Sequence, residues 1–432
     1  MQDQTKPHFV ERALFQASEI RLIEQQSAKA SGYALYHLME SAGMAAWNFL
    51  NKHWTDAQNI TIICGKGNNA GDGFVLARLA ASKGKTVQVL TVTENPEYQG
   101  DAQVAFKAME EQGISTSLFK TSLLSDQQLI VDAILGTGLK GPLRKNFQQL
   151  IEQVNDWVKD SAVPVFAIDI PSGLGSDTGV ADPVAIVASR TLSFIALKSG
   201  MVTGQARACC GQIEVDALGI EPKFQDGYAP VAWIDDADRL IGSLPKRSNT
   251  AHKGDNGHLL LVGGDYGFGG AILMSAMAAG RCGVGMMTIL TRDAHVAPIL
   301  TQCPEAMIRS ISDASDPALQ KILGNVDGVV IGPGLGQEDW AVGLLNAICA
   351  TELPLLIDAD ALNLLAGKEL GKAHWVLTPH PGEAGRLLGV STADIESNRY
   401  QAVTSLQQKY SAVAVLKGAG TLIKQQNQLP TV

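Results

Sequence analysis

Apolar and polar positions along this chain follow two different periods. From Ser18 to Ala30, and again from Leu35 to Trp54, apolar residues recur at helical spacing, which predicts two helices. Runs dominated by apolar residues then follow at strand length: Asn59 to Cys64, Thr86 to Thr93, Leu129 to Leu135, Val163 to Ile170 and Thr191 to Leu197. A strand that is apolar on both faces must be covered on both. With helical text such as Gly73 to Lys83 in between, this predicts a parallel sheet clad by helices. The rhythm stops over residues 221–247, where Pro222, Asp226-Gly227, Pro230, Asp235-Asp236 and Pro245 punctuate text without periodicity. The division expected is a first domain over 1–220, a connector over 221–247 and a second domain over 248–432. Alternation resumes there with His258 to Val262, a helix from Ala271 to Arg281, Met286 to Leu290, Gly328 to Ile331, Leu353 to Ile357, Trp375 to Leu377 and Val413 to Leu416.

Length and charge narrow the possibilities. A chain of 432 residues with 46% hydrophobic and 18% charged residues suits two large globular α/β domains. The formal net charge of −9 gives no field to attract nucleic acid or an anionic membrane, so an anionic ligand must be held by local backbone donors. The six cysteines show neither a Cys-x-x-Cys pair nor a histidine at zinc spacing, which predicts reduced, mostly buried thiols. Met1 to Phe9 lacks the basic and apolar regions of a secretory signal, and Gly270 to Leu290 is interrupted by glycines and Arg281. The expectation is a soluble, cytoplasmic homo-oligomer acting on a small molecule, without a nucleic-acid or membrane partner.

Chemistry concentrates at strand ends. Cys64-Gly-Lys-Gly-Asn-Asn-Ala-Gly-Asp-Gly73 stands where a buried strand turns into a helix, so it offers tight turning and unpaired backbone donors to a phosphate. It has no Gly-Lys-Ser/Thr of a Walker loop and departs from Gly-x-Gly-x-x-Gly. A glycine turn alone is equally a plain strand-helix elbow, but Asn68, Asn69 and Asp72 are not needed for turning. Asp132 precedes Gly136-Thr137-Gly138-Leu139-Lys140-Gly141-Pro142, and Asp169 precedes Pro171-Ser172-Gly173. In a doubly wound sheet these carboxyl ends face one crevice. An aspartate inside an apolar strand has to be paired or functional; either one alone is as readily a structural cap as a catalyst. Asn69, Asp132 and Ser172 present only hard oxygens with one formal charge, which suits a weakly held monovalent cation better than zinc.

Together the three ordered motifs resemble the NAD(P)H-hydrate epimerase domain, which in bacteria is fused to an NAD(P)H-hydrate dehydratase, and the resemblance spans essentially the whole chain. It implies a Rossmann-like three-layer α/β/α domain whose Asn68, Asn69, Ala70, Gly71, Asp72 and segment 136–142 line the hydrated-nucleotide site. It further implies that Asp169 and Lys140 carry the proton transfers and that potassium lies among Asn69, Asp132 and Ser172.

In the second half, Val262-Gly263-Gly264-Asp265 with Gly267, Gly269, Gly270 and Ala271, and Ile331-Gly-Pro-Gly-Leu-Gly336, are glycine-rich strand ends suited to phosphate or ribose. Asp358-Ala-Asp360 and Thr378-Pro-His380-Pro-Gly-Glu383 end two further strands; a lone His380 is more readily a hydrogen-bonded structural residue. The set resembles the dehydratase, a ribokinase-like domain that uses ADP with magnesium, or ATP in some relatives. The resemblance implies that Ala271, Gly334 and His380 contact the hydrate and that Lys417, Gly418, Ala419, Gly420 and Thr421 contact the nucleotide diphosphate. Family members continue beyond this turn into a loop bearing Gly-Met-Gly-Asp, which the 432 residues do not contain. The expectation is therefore a second domain lacking its C-terminal end, and a chain that epimerises the hydrate without dehydrating it. Two rivals are a ribokinase-like small-molecule kinase fused to a nucleotide-binding regulatory domain, and a non-catalytic nucleotide-binding scaffold.

Overall fold

A computed structural model of the chain describes residues 12–31, 35–138, 141–220, 228–235 and 237–432. It forms two compact units that divide between Ile234 and Asp235.

The first unit is built on seven parallel strands in the order β4-β3-β2-β5-β6-β7-β9. They are β2 (Asn59–Cys64), β3 (Thr86–Thr91), β4 (Thr116–Leu118), β5 (Leu129–Ala133), β6 (Val165–Ile168), β7 (Arg190–Phe194) and β9 (Gln212–Asp216). The continuous apolar runs are explained by the two cores they serve. Ile60, Ile62, Leu129, Val131, Phe166 and Ile168 pack on one face with the helices Leu35–His53 and Asn68–Ser82. Ile63, Ile130, Val165 and Ala167 pack on the other with the helix Lys145–Ser161. Two glycines permit the first helix to approach this sheet. A Cβ on Gly65 would stand 1.8 Å from the Ile134 carbonyl oxygen, and one on Gly73 would stand 2.7 Å from the Ala133 Cβ.

A separate three-stranded sheet in the same unit has the order β10-β1-β8, from β1 (Ala13–Phe15), β8 (Leu197–Lys198) and β10 (Ala232–Trp233). It differs from the sequence expectation twice. Thr191 to Leu197 is not one strand, because the backbone at Ile195 (φ 69°) turns Leu197-Lys198 away from the large sheet to pair with β1. Ala232 and Trp233 lie inside the expected connector yet pair with Leu14 and Ala13, so they belong to the first unit. The stretch Ala237–Ser243 is a short helix.

The second unit carries eight strands in the order β13-β12-β11-β14-β15-β16-β17-β18. They are β11 (His258–Val262), β12 (Met286–Thr291), β13 (Met307–Ser310), β14 (Gly328–Ile331), β15 (Leu355–Ile357), β16 (Trp375–Leu377), β17 (Val413–Leu416) and β18 (Leu422–Lys424). All neighbours are parallel except the terminal pair β17 and β18. The helix Gly269–Arg281 buries Ile272 and Ala276 against Leu261, Met287 and Ile289. The α/β class and the parallel sheets are those expected from the chain's periodicity. All six cysteines are free thiols and only Cys282 is exposed. Among the described residues no helix is long and apolar enough to cross a membrane.

Candidate functional site

The helix expected to start at Gly73 starts at Asn68, with Gly67 as its N-cap. The residues read as a loop, Asn68 to Asp72, therefore form its first turn, where backbone N–H groups lack intrahelical acceptors and point at whatever lies beyond β2. Asn69 is buried, and neither polar atom of its side chain has a hydrogen-bond partner. It lies against the chain leaving β5: a Cβ on Gly136 would stand 3.5 Å from the Asn69 Cγ.

Asp132 and Ser172 meet directly. Asp132, 1% exposed, accepts the Ser172 amide on Oδ2 at 2.7 Å, and on Oδ1 the Ser172 hydroxyl at 2.5 Å and the Ile134 amide at 3.1 Å. Burial pushes its carboxyl up to about 6 against the opposing pull of those hydrogen bonds. The Asp132 carboxyl and the unpartnered Asn69 carboxamide oxygen are the hard oxygens here that could hold a cation.

Asp169 sits just beyond β6 in the left-handed region (φ 66°), a conformation aspartate tolerates better than most residues. Its Oδ1 accepts the Phe194 amide at 3.2 Å and the ammonium of Lys198. Sequence reading paired Asp169 with Lys140; Leu139 and Lys140 lie outside the described residues, and the ammonium that Asp169 meets among those described is Lys198. Two further carboxyls share this electrostatic neighbourhood. Asp72 is pushed well above the ordinary range by burial and by the charges of Asp169 and Glu24. Glu24, on the helix Ala17–Ser31, is pushed up to about 7 by burial and by Asp169, against Lys198 and Arg21. Arg21 on the same helix donates to the Thr137 carbonyl at 2.9 Å, so this helix reaches the segment expected to hold substrate. Gly138, Gly141 and Pro142 of that segment are exposed. Lys198, Glu24 and Arg21 went unread because nothing local distinguishes them; the only clue was a lysine closing an apolar strand.

In the second unit two glycine-rich turns are stitched together. Gly264 donates to the Pro333 carbonyl at 3.1 Å and Asp265 to that of Gly334 at 2.6 Å. Gly334 (φ 59°) lies beside Ala271, whose Cβ would be 3.2 Å from an added one, so these two expected hydrate contacts are neighbours. Asp265 also accepts from Arg292 Nε at 2.7 Å, and that guanidinium stacks on Trp340 with its carbon 4.2 Å from the ring centroid. His380 caps the helix Pro381–Leu388: Nδ1 accepts the Gly382 amide at 2.9 Å, while Glu383 accepts the His380 amide at 2.8 Å. The side chain is 52% exposed, with Nδ1 engaged in the cap and Nε2 3.4 Å from Glu383 Oε1.

Residues 417–421 form the turn from β17 into β18. Lys417 donates to Asp358 Oδ1 at 2.8 Å, which also accepts the Thr378 hydroxyl at 2.9 Å, so the ends of β15, β16 and β17 converge. Asp360 accepts the Gly336 amide at 2.9 Å. Gly418 and Ala419 are exposed, and Thr421 donates to the Gly418 carbonyl at 3.2 Å. Beneath the turn lies a residue that sequence reading missed. Arg399, 1% exposed, donates to the carbonyls of Lys417 at 3.1 Å, Leu416 at 3.4 Å and Gly420 at 3.5 Å, and pairs with Glu396 at 2.9 Å.

Comparison with known proteins agrees with this division. Residues 35–200 match the family described as YjeF-related protein N-terminus, and residues 259–431 match NAD(P)H-hydrate dehydratase. The bifunctional NAD(P)H-hydrate repair enzyme of Coxiella burnetii is 43% identical over 415 residues, covering 96% of this chain and 84% of that protein. Its Escherichia coli counterpart is 41% identical over 417 residues, covering 96% and 79%. Among solved structures, an ADP/ATP-dependent NAD(P)H-hydrate dehydratase from Bacillus subtilis is 26% identical, with a TM-score of 0.40, covering 45% of this chain and 69% of that one. On its sequence matches, the chain belongs to the family of bifunctional NAD(P)H-hydrate repair enzymes.

Proposed function

We propose that the first unit interconverts the R and S forms of hydrated NADH and NADPH in the cytoplasm, and that the second, against the expectation of a chain that only epimerises, removes water from the S form at the expense of ADP. The observation that supports the first half most directly is the placement of Asn69, of Asp132 with Ser172, and of Asp169 at the carboxyl ends of the neighbouring parallel strands β2, β5 and β6. Epimerising a hydroxyl-bearing carbon beside a ring nitrogen requires a proton to be removed and returned, and a carboxylate with an ammonium can do both. Asp169 takes the carboxylate role and Lys140 the ammonium role. Asn68, Asn69, Ala70, Gly71 and Asp72 offer the helix amino end to the dinucleotide phosphates, and residues 136–142 take the role of binding the hydrated ring.

Asn69, Asp132 and Ser172 would hold potassium. The fit is chemical: one buried carboxylate lacking a cation, one carboxamide lacking a partner, and a hydroxyl joined to the carboxylate. A monovalent cation there offsets the Asp132 charge and ties the three loops together. In the second unit, Ala271, Gly334 and His380 face the hydrate, and Lys417 to Thr421 hold the ADP phosphates with magnesium. A nucleotide bound there supplies the phosphoryl group that turns the ring hydroxyl into a good leaving group. Lys417 and the turn amides position and neutralise it.

The test is to give the purified chain one epimer of hydrated NADH. Chromatography follows the appearance of the other, and NADH absorbance follows its recovery after ADP and magnesium are added. No interconversion would sink the first half of the reading, and no ADP-dependent NADH the second.

A further inference from the structure

Resting on the reading of the first unit as the epimerase, we infer that Lys198 is a positioning residue for proton transfer: it pins one oxygen of Asp169 and leaves the other as the basic atom. Both hydrogen bonds that Asp169 receives among the described residues fall on Oδ1, from the Phe194 amide and the Lys198 ammonium. Oδ2 receives none from them. The carboxylate is thereby fixed in rotation, with its unengaged oxygen the one able to take the substrate's hydroxyl proton as the carbon–nitrogen bond of the ring breaks and a carbonyl forms. It returns that proton when the ring closes on the other face, the nitrogen taking a proton from the Lys140 ammonium and giving it back. The exchange leaves the enzyme unchanged and needs no oxidant or reductant.

Lys198 cannot take the substrate's proton itself. An ammonium has three donors, and three acceptors surround this one: Asp169 Oδ1, the Ser193 hydroxyl at 2.8 Å and the Phe194 carbonyl at 3.1 Å. The side chain is 1% exposed. Rotating it toward a ligand would strand buried acceptors without a donor.

The fold goes out of its way to put Lys198 there. Ala196 donates to the Phe194 carbonyl at 2.8 Å and Ser193 to the Ala196 carbonyl at 2.9 Å, closing a tight reversal at Ile195. The chain then leaves the seven-stranded sheet and aligns Leu197 with Leu14 and Lys198 with Phe15. The small sheet thus anchors the lysine from outside the barrier of the main core. The groups that share its surroundings are Asp169, Asp72, Glu24 and, through Glu24, Arg21. Of the three carboxyls, Asp169 is the one the ammonium touches; burial and neighbouring charge push the other two upward.

Epimerisation by the full chain is measured for Lys198→Met, Lys198→Arg, Asp169→Asn and the Lys198→Met/Asp169→Asn double variant, with circular-dichroism melts for each. Lys198→Met is expected to lower kcat on the order of 10- to 100-fold with KM changed less than about threefold. The double variant is expected to be no slower than Asp169→Asn alone, and Lys198→Arg to recover part of the loss. A structural role would instead multiply the two losses. Multiplied losses, or a wild-type kcat in Lys198→Met, would overturn the inference. Should Lys198→Met fail to fold, Ser193→Ala removes one acceptor while keeping the charge. Its expected loss of kcat must vanish in the Asp169→Asn background, and an unaltered kcat overturns the inference. An inactive wild-type chain overturns the epimerase reading, and an active one with unaffected variants overturns only the role of Lys198.

Discussion

The two units place their charges differently. In the first, the groups around Asp169 and the expected cation ligands are withdrawn from water: Lys198 and Asp132 are each 1% exposed, Ser172 is fully buried, and the Asn69 carboxamide has no partner. In the second, Lys417 is 41% and His380 52% exposed at the rim of glycine-rich turns, with the buried Arg399 set beneath them. The difference follows from the chemistry each must support. Moving protons at the hydroxyl and ring nitrogen requires acid and base groups whose protonation is tuned by desolvation and neighbouring charge, so burial is an advantage. Holding a polyanion requires many backbone donors and an ammonium at an open surface, where deep burial would only cost solvation.

Asp169→Asn should break this contrast most sharply. Epimerisation should fall about 100-fold or more, the scale of one acid-base group, while calorimetric binding of ADP to the second unit stays unchanged. An undiminished rate would remove Asp169 from the reaction. Asp132→Ala comes next: hydrate affinity should drop on the order of tenfold and any preference for potassium over a large organic cation should disappear. Equal affinity of the wild-type chain in the two salts would remove the ion. For the second unit, Arg399→Met should free the carbonyls of Leu416, Lys417 and Gly420 and weaken ADP binding about fivefold, on the scale of lost charged hydrogen bonds, with epimerisation untouched. Unaltered ADP affinity would show that the turn holds its shape without the arginine.

The smallest effect concerns Glu24. Its carboxyl rises from an ordinary 4.5 to about 7 on folding, so the stability it contributes is present below about 4.5 and is lost as pH rises through about 7. Glu24→Gln cannot lose a proton. Its melting temperature should therefore gain on the wild type by a few degrees between pH 5 and pH 8, and parallel melting curves across that range would sharpen the contrast by showing that Glu24 stays in water.

Local pattern decided much of this molecule. Runs such as Asn59 to Cys64 and Leu129 to Ala133 are apolar on both faces because both faces are covered, and that period is written residue by residue. Glycine turns at Gly65 and Gly264, and aspartates interrupting apolar strands at Asp132 and Asp169, are equally local signals, since each residue type answers a steric or solvation demand at its own position. What the pattern did not contain is which charges meet. Lys198 reaches Asp169 from 29 residues away only because the chain reverses at Ile195 and pairs with β1. Arg399 lies on a surface-like helical stretch, yet its guanidinium ends beneath a turn 18 residues later. Asn68 to Asp72 read as a loop, yet they form the first turn of the helix Asn68–Ser82. Burial and pairing of a charge depend on the register of distant strands. Periodicity and turn chemistry act over a few residues, so the sequence by itself determined the core strands and their polar interruptions, and the tertiary structure alone decided which of those interruptions come together.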